Sequence, residues 1–210
     1  MRGASATPGD ETGRMTKTIG IFLFDQYEEL DAIGPWEVLS YWTKAHPGDG
    51  WEVITFGDAP GPVTAAKGLR VLPDTTIDEL PPLDVLIYPG GKGTRAHLDD
   101  EERLEWVRQQ AETVPLMTSV CTGALVYAAA GLLTGRAATT HWGSTVLLGS
   151  LDPTIDVRED ERFVDDGDVI TSAGVSAGID MALHLVMRLG GAARAKQVRR
   201  GIEYVPQPPV

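Results

Sequence analysis

The chain has 210 residues, 42% hydrophobic and 23% charged, which is enough apolar material for one sizeable core and excludes disordered and fibrous classes. A formal net charge of −12 argues against a nucleic-acid surface, which needs clustered Lys and Arg to neutralise phosphates. No apolar run approaches the ~18 residues of a membrane span, and residues 1–16 lack the apolar segment of a signal peptide. A cytoplasmic location is therefore expected.

Residues 1–17 read as a disordered leader ahead of a single domain over 18–210. The apolar run 19–24 has the pattern of a strand buried on both faces, and Gly34-Pro35 is expected to open a helix through Trp36, Val38, Leu39 and Trp42. Residues 51–56 give a second strand. Residues 63–72, broken by Lys67-Gly68, are expected to form a hairpin or a pair of short strands. A buried strand over 84–88 ends in Pro89-Gly90-Gly91. Leu104, Val107, Ala111 and Val114 then recur at helical spacing, which predicts an amphipathic helix over 100–113. A strand over 116–120 turns abruptly at Cys121 into a small-residue helix. Short strands follow at 137–140, 155–157, 162–165 and 169–172, the last two joined by Asp166-Gly167, and an apolar helix spans 175–189. The basic cluster from Arg194 to Arg200 reads as a solvated helix face. Strands alternating with helices predict βαβ units: an α/β, flavodoxin-like, doubly wound and mainly parallel sheet sandwiched by helices, with a cysteine nucleophile elbow.

Cys121 is the sole cysteine, so it has no internal disulfide partner. At an elbow opening a helix it is expected to face solvent with a lowered pKa, because backbone N–H groups favour the thiolate. Ligands of such sheets sit beyond the carboxyl ends of the strands. Three strands end there in loops of interest: Glu28-Glu29-Leu30-Asp31, Gly90-Gly91 and Cys121-Thr122-Gly123. Together they would supply a nucleophile, a carboxylate for proton transfer, and Gly90 and Gly91 N–H groups to hold developing charge. Asp31 has the competing reading of a helix N-cap, and Glu28 and Glu29 that of solvated side chains. His46, His97, His141 and His184 show no metal-ligand spacing, so no metal is expected. His184 reads as a satisfied core histidine and His141 as a supporting hydrogen-bonding residue near the mouth. The chain contains no Asn, which excludes a Cys-His-Asn set. The five tryptophans read as core, and no nucleotide or phosphate motif is complete, so no cofactor is expected.

Glu29-Leu30-Asp31 with Gly34-Pro35, Pro89-Gly90-Gly91, and Ser119-Val120-Cys121-Thr122-Gly123 resemble the DJ-1/PfpI superfamily over essentially the whole chain beyond the leader. Within it, the chain is most similar to the isonitrile hydratases. Thr118 to Gly123, Ala138-Thr139-Thr140-His141-Trp142, Ala177-Gly178-Ile179-Asp180 and the ending Glu203-Tyr204 with Pro206, Pro208 and Pro209 carry that likeness. The resemblance implies Cys121 as nucleophile, Asp31 as the carboxylate partner, and Thr122 where the protease-like branch has a histidine, which counts against peptidase activity. It also implies a small-molecule substrate and a homodimer. The expected reaction joins an isonitrile to water through a Cys121 thioimidate, giving an N-substituted formamide. The alternatives are a cofactor-free glyoxalase or deglycase, a DJ-1-like redox sensor, and the effector domain of AraC-type regulators. Those regulators carry a further helix-turn-helix region, whereas this chain stops at Val210.

Overall fold

The computed structural model describes residues 16–206, so the expected leader lies outside the described residues except for its end. Lys17, assigned to the leader, is instead the first residue of a strand. In chain order the elements are β1 (Lys17–Leu23), α1 (Glu29–Ala45), β2 (Trp51–Gly57), β3 (Val63–Thr64), β4 (Arg70–Val71), β5 (Thr75–Thr76) and β6 (Val85–Tyr88). They continue as α2 (Thr94–His97), α3 (Glu101–Thr113), β7 (Leu116–Val120), α4 (Gly123–Ala129), β8 (Ala137–Ala138), α5 (Thr145–Leu151) and β9 (Asp156–Val157). The last are β10 (Phe163–Asp165), β11 (Val169–Ser172), α6 (Ala177–Gly190) and α7 (Ala192–Gly201).

Among the described residues, one sheet runs β10-β11-β7-β6-β1-β2-β5, parallel throughout except at the β10–β11 edge. Its core order β2-β1-β6-β7-β11 is the flavodoxin order. α1, α6 and α7 pack together, and α3, α4 and α5 form a second group through α4. The apolar runs of β1, β6 and β7 are buried because helices cover both faces of the sheet. Ile21, Leu86 and Ile87 are fully buried; each such side chain contributes about 1.5–3 kcal/mol relative to exposure.

α1 begins six residues before Pro35, at Glu29, after a short loop that leads from the end of β1 at Leu23. Pro35 lies inside the helix and has no N–H to give to the Asp31 carbonyl. What places Gly34 and Pro35 there is packing. A Cβ on Gly34 would come within 3.1 Å of Ile179, and one on Gly178 within 3.3 Å of Pro35 and 3.1 Å of Val120. These two glycines let α1 and α6 cross tightly beneath the end of β7. α3 starts one residue later than expected because Asp100 is its N-cap, accepting from the Arg103 N–H at 3.1 Å.

Several side chains are placed differently from the sequence expectation. Trp42 is fully buried, but Trp142 is 81% exposed and Trp36 is also exposed. Glu28 and Glu29 are held by Lys67 rather than solvated. His184 is half-buried, with Nε2 2.6 Å from Asp165 Oδ2 and its ring against Phe163. Arg194 is not part of a free basic face, since it forks onto Asp49 at 2.6 and 2.8 Å.

Candidate active site

The crevice where the strand order reverses lies between β1 and β6, and the three loops of interest meet there. The loop after β1 is stitched to the glycine loop after β6: Glu28 N–H donates to Gly90 C=O at 2.9 Å and Gly93 N–H to Gln26 C=O at 3.1 Å. Gly91 has φ of 119°, and a Cβ on it would stand 2.4 Å from Glu28 N, so no other residue fits this approach. Asp31 is drawn inward by the same contact. Its side chain is fully buried, Oδ2 accepts from Gly90 N–H at 3.0 Å, and the Cys121 thiol and Val175 N–H also face the carboxyl. The N-cap reading of Asp31 does not hold, because Glu28 occupies that position and Asp31 lies inside the helix.

Cys121 forms the elbow with φ of 57°, a left-handed backbone that costs a non-glycine residue energy. The conformation is held from both sides: its N–H donates to Ser172 C=O at 3.0 Å, and its C=O accepts from Thr140 Oγ1 at 2.7 Å. Val175, in the turn before α6, is likewise left-handed at φ 54° although β-branched. Two strained residues therefore flank one buried carboxylate.

Electrostatics departs from the sequence expectation at the thiol. Cys121 is only 5% exposed, and burial followed by the charge of Asp31 pushes its pKa up to about 12. The Thr122 N–H and hydroxyl pull the other way, as the helix start was expected to do, but they do not prevail. Asp31 is raised to about 7, chiefly by burial; the Gly90 N–H, the Cys121 thiol and the Val175 N–H partly oppose this by favouring the carboxylate. The two groups share one dry space, so they titrate as a pair.

Thr122 Oγ1 accepts from Gly91 N–H at 3.0 Å and lies 3.1 Å from Thr94 Oγ1. Gly90 and Gly91, expected to offer N–H groups to substrate, have thus given them to Asp31 and Thr122, and they position those side chains instead. Among the groups that favour the thiolate, the Thr122 N–H comes first and the Thr122 hydroxyl, which is the one a side-chain substitution removes, comes after it. Thr122→Val is expected to slow iodoacetamide alkylation of Cys121 at pH 9 about tenfold, the lower end of what one hydrogen bond to a charged group is worth. Thr122→Ser should retain the wild-type rate, and equal rates in all three proteins would remove this role.

A cleft of about 390 Å³ opens over Cys121, walled by Glu28, Gly91, Thr122, Val175 and the His141–Ser144 turn. His141 does reach it, with Nδ1 accepting from Gly143 N–H at 3.1 Å. Lys92 and Arg95 also line it. Sequence reasoning missed Val175, Arg95 and Thr94. Val175 was read as part of the following helix, and nothing local marks a left-handed valine. Among the described residues no three His, Cys, Asp or Glu side chains cluster as metal ligands.

The fold and the crevice define a flavodoxin-like α/β domain in which an elbow cysteine faces a buried carboxylate across the sheet's switch point. The chain belongs to the DJ-1/PfpI family, whose model matches residues 17–188. It is 42% identical over 195 residues, 93% of this chain and 82% of the relative, to the isonitrile hydratase of Pseudomonas putida. It is 34% identical over 149 residues to the HTH-type transcriptional regulator CdhR of Pseudomonas aeruginosa, spanning 43% of that protein. Among solved structures, a ThiJ/PfpI family protein from Pseudomonas syringae superposes with a TM-score of 0.82 at 30% identity, covering 99% of this chain and 84% of that one.

Proposed function

We propose that this chain is an isonitrile hydratase, with Cys121 as nucleophile and Asp31 as the group that moves the protons. The observation that carries the reading is Asp31 itself: a fully buried carboxyl that meets the elbow thiol and is raised to about 7. The extended identity to the Pseudomonas putida hydratase supports the same reading.

The terminal carbon of R–N≡C accepts both a nucleophile and a proton. As Sγ bonds to that carbon, the thiol proton passes to Asp31, which returns it to the same carbon and leaves the thioimidate R–N=CH–S–Cys121. Asp31, again a carboxylate, takes a proton from water as the oxygen adds to the thioimidate carbon, and the proton goes on to nitrogen. The C–S bond breaks, the sulfur recovers the remaining proton, and R–NH–CHO departs. One carboxyl acts in turn as base and acid, a task suited to a pKa near 7. No step requires a metal or an organic cofactor.

The reactive form of the Cys121–Asp31 pair holds one proton. Below about 7 the pair holds two, so kcat/KM for an alkyl isonitrile is expected to rise as pH increases through about 7 and then level off, since the second proton leaves only near 12. A profile that falls above pH 7 would contradict a single shared proton. Redox sensing is poorly served by this thiol, because sensor cysteines are exposed and have low pKa values. The glyoxalase reading is tested by running methylglyoxal beside the isonitrile: formamide production with no dicarbonyl consumption supports the hydratase, and the reverse overturns it. The proposal carries with it a homodimer in the cytoplasm. Exposed Trp142 in the cleft wall, with exposed Val146 and Leu151 on α5, is consistent with such pairing, and no helix among the described residues is long and apolar enough to cross a membrane.

A further inference from the structure

Resting on the hydratase reading, we infer that Arg95 binds a carboxylate carried on the R group, so that the preferred substrate is an acidic isonitrile. The isonitrile function is neutral and compact and has no hydrogen to donate, so it gives the site little to hold. Orientation of its carbon over Cys121 must come from the rest of the molecule.

The cleft supplies a handle of one kind. Lys92 and Arg95 line it, both exposed, in a chain whose net charge is −12. Most of the described arginines pair with carboxylates, Arg136 with Asp168, Arg162 with Asp180 and Arg194 with Asp49 among them. Arg95 touches hydroxyls instead, with Nη1 3.2 Å from Thr94 Oγ1 and Nη2 3.4 Å from Ser144 Oγ. Glu28, the acidic residue of the cleft wall, shares Lys67 with Glu29. The charges that Lys92 and Arg95 bring to this wall of the cleft are positive.

Position matters as much as sign. Thr94 Oγ1 joins the Arg95 guanidinium on one side to Thr122 Oγ1 on the other, at 3.1 Å, and Thr122 is the residue after the nucleophile. The guanidinium thus stands two hydroxyl contacts from the reacting centre, within reach of a carboxylate a few atoms from the isonitrile carbon. Its planar fork retains N–H groups for a paired carboxylate, the geometry that distinguishes Arg from Lys. The product, an N-formyl acid, keeps the same handle.

The test compares isocyanoacetate with its methyl ester as substrates for wild type, Arg95→Gln and Arg95→Lys. Wild type is expected to favour the acid by about 10- to 100-fold in kcat/KM, expressed mainly in KM. Arg95→Gln should bring the ratio toward one, and Arg95→Lys should keep part of it. The ratio within each protein is independent of the fraction folded. A wild-type ratio near one, or a ratio that survives Arg95→Gln, overturns the assignment. If neither compound is hydrated, the hydratase reading falls on its own, and calorimetry then decides the anion site. Binding of N-formylglycine but not N-methylformamide to Cys121→Ala, lost on adding Arg95→Gln, upholds it; equal or absent binding of the two overturns it.

Discussion

Cys121→Ala is expected to abolish isonitrile turnover, lowering kcat by at least about 10⁴-fold, in line with removal of nucleophiles from other covalent enzymes. The effect should be this large because the surroundings of Cys121 serve the sulfur alone. The left-handed elbow, the Ser172 and Thr140 hydrogen bonds to its backbone and the Thr122 hydroxyl all fix where Sγ stands. Without it, the remaining groups can only bind isonitrile and water near a carboxylate. Cys121→Ser should be nearly as inactive, since a buried hydroxyl gives up its proton far less readily than a thiol. Folding is expected to survive both changes, as the fixed backbone bonds do not involve the side chain. The measurement is formamide release by mass spectrometry, with thermal melting to confirm the fold.

Asp31→Asn is expected to lower kcat by about 10² to 10⁴, the range for loss of a positioned acid–base group. The same change should stabilise the protein at neutral pH. Asp31 has a folded-state pKa of about 7 against about 3.9 when unfolded. Its protonated form is favoured by folding, so its stabilising contribution is complete below about pH 4 and is lost as pH rises to about 7. Asparagine is neutral throughout and still accepts from Gly90 N–H. Melting curves of the variant and wild type should therefore coincide near pH 4 and separate progressively to pH 7, with a difference bounded at about 4 kcal/mol. A variant less stable than wild type at pH 8 would show that the carboxylate is not strained there. Stability given up for an acid–base group is a common trade at active sites.

Much of this arrangement was legible in the chain because strand ends and turn residues are local signals. The buried runs at 19–24, 84–88 and 116–120 gave the central strands, and their loops brought Asp31, Gly90 and Cys121 to one crevice. The start of α1 was misplaced because Gly34-Pro35 looks like a helix opening, whereas its purpose is contact with Ile179 and Gly178 from the far end of the chain. The direction of the Cys121 pKa was likewise not local. The helix start does favour the thiolate, but the burial supplied by packing, and after it the charge of Asp31, outweigh it. The Gly90 and Gly91 N–H groups were correctly located and wrongly employed, since only the folded structure shows that Asp31 and Thr122 have taken them. Arg95 carried no motif, and its interest comes from its place in the cleft wall against the hydroxyls of Thr94 and Ser144.

The most direct test of the account incubates the purified chain with a simple alkyl isonitrile near pH 8 and follows the N-alkylformamide by mass, beside a protein-free blank and Cys121→Ala. Many turnovers per wild-type protein, with Cys121→Ala at the blank rate, is the predicted result. No formamide above the blank from wild type, or equal formation by Cys121→Ala, would contradict covalent hydration at Cys121.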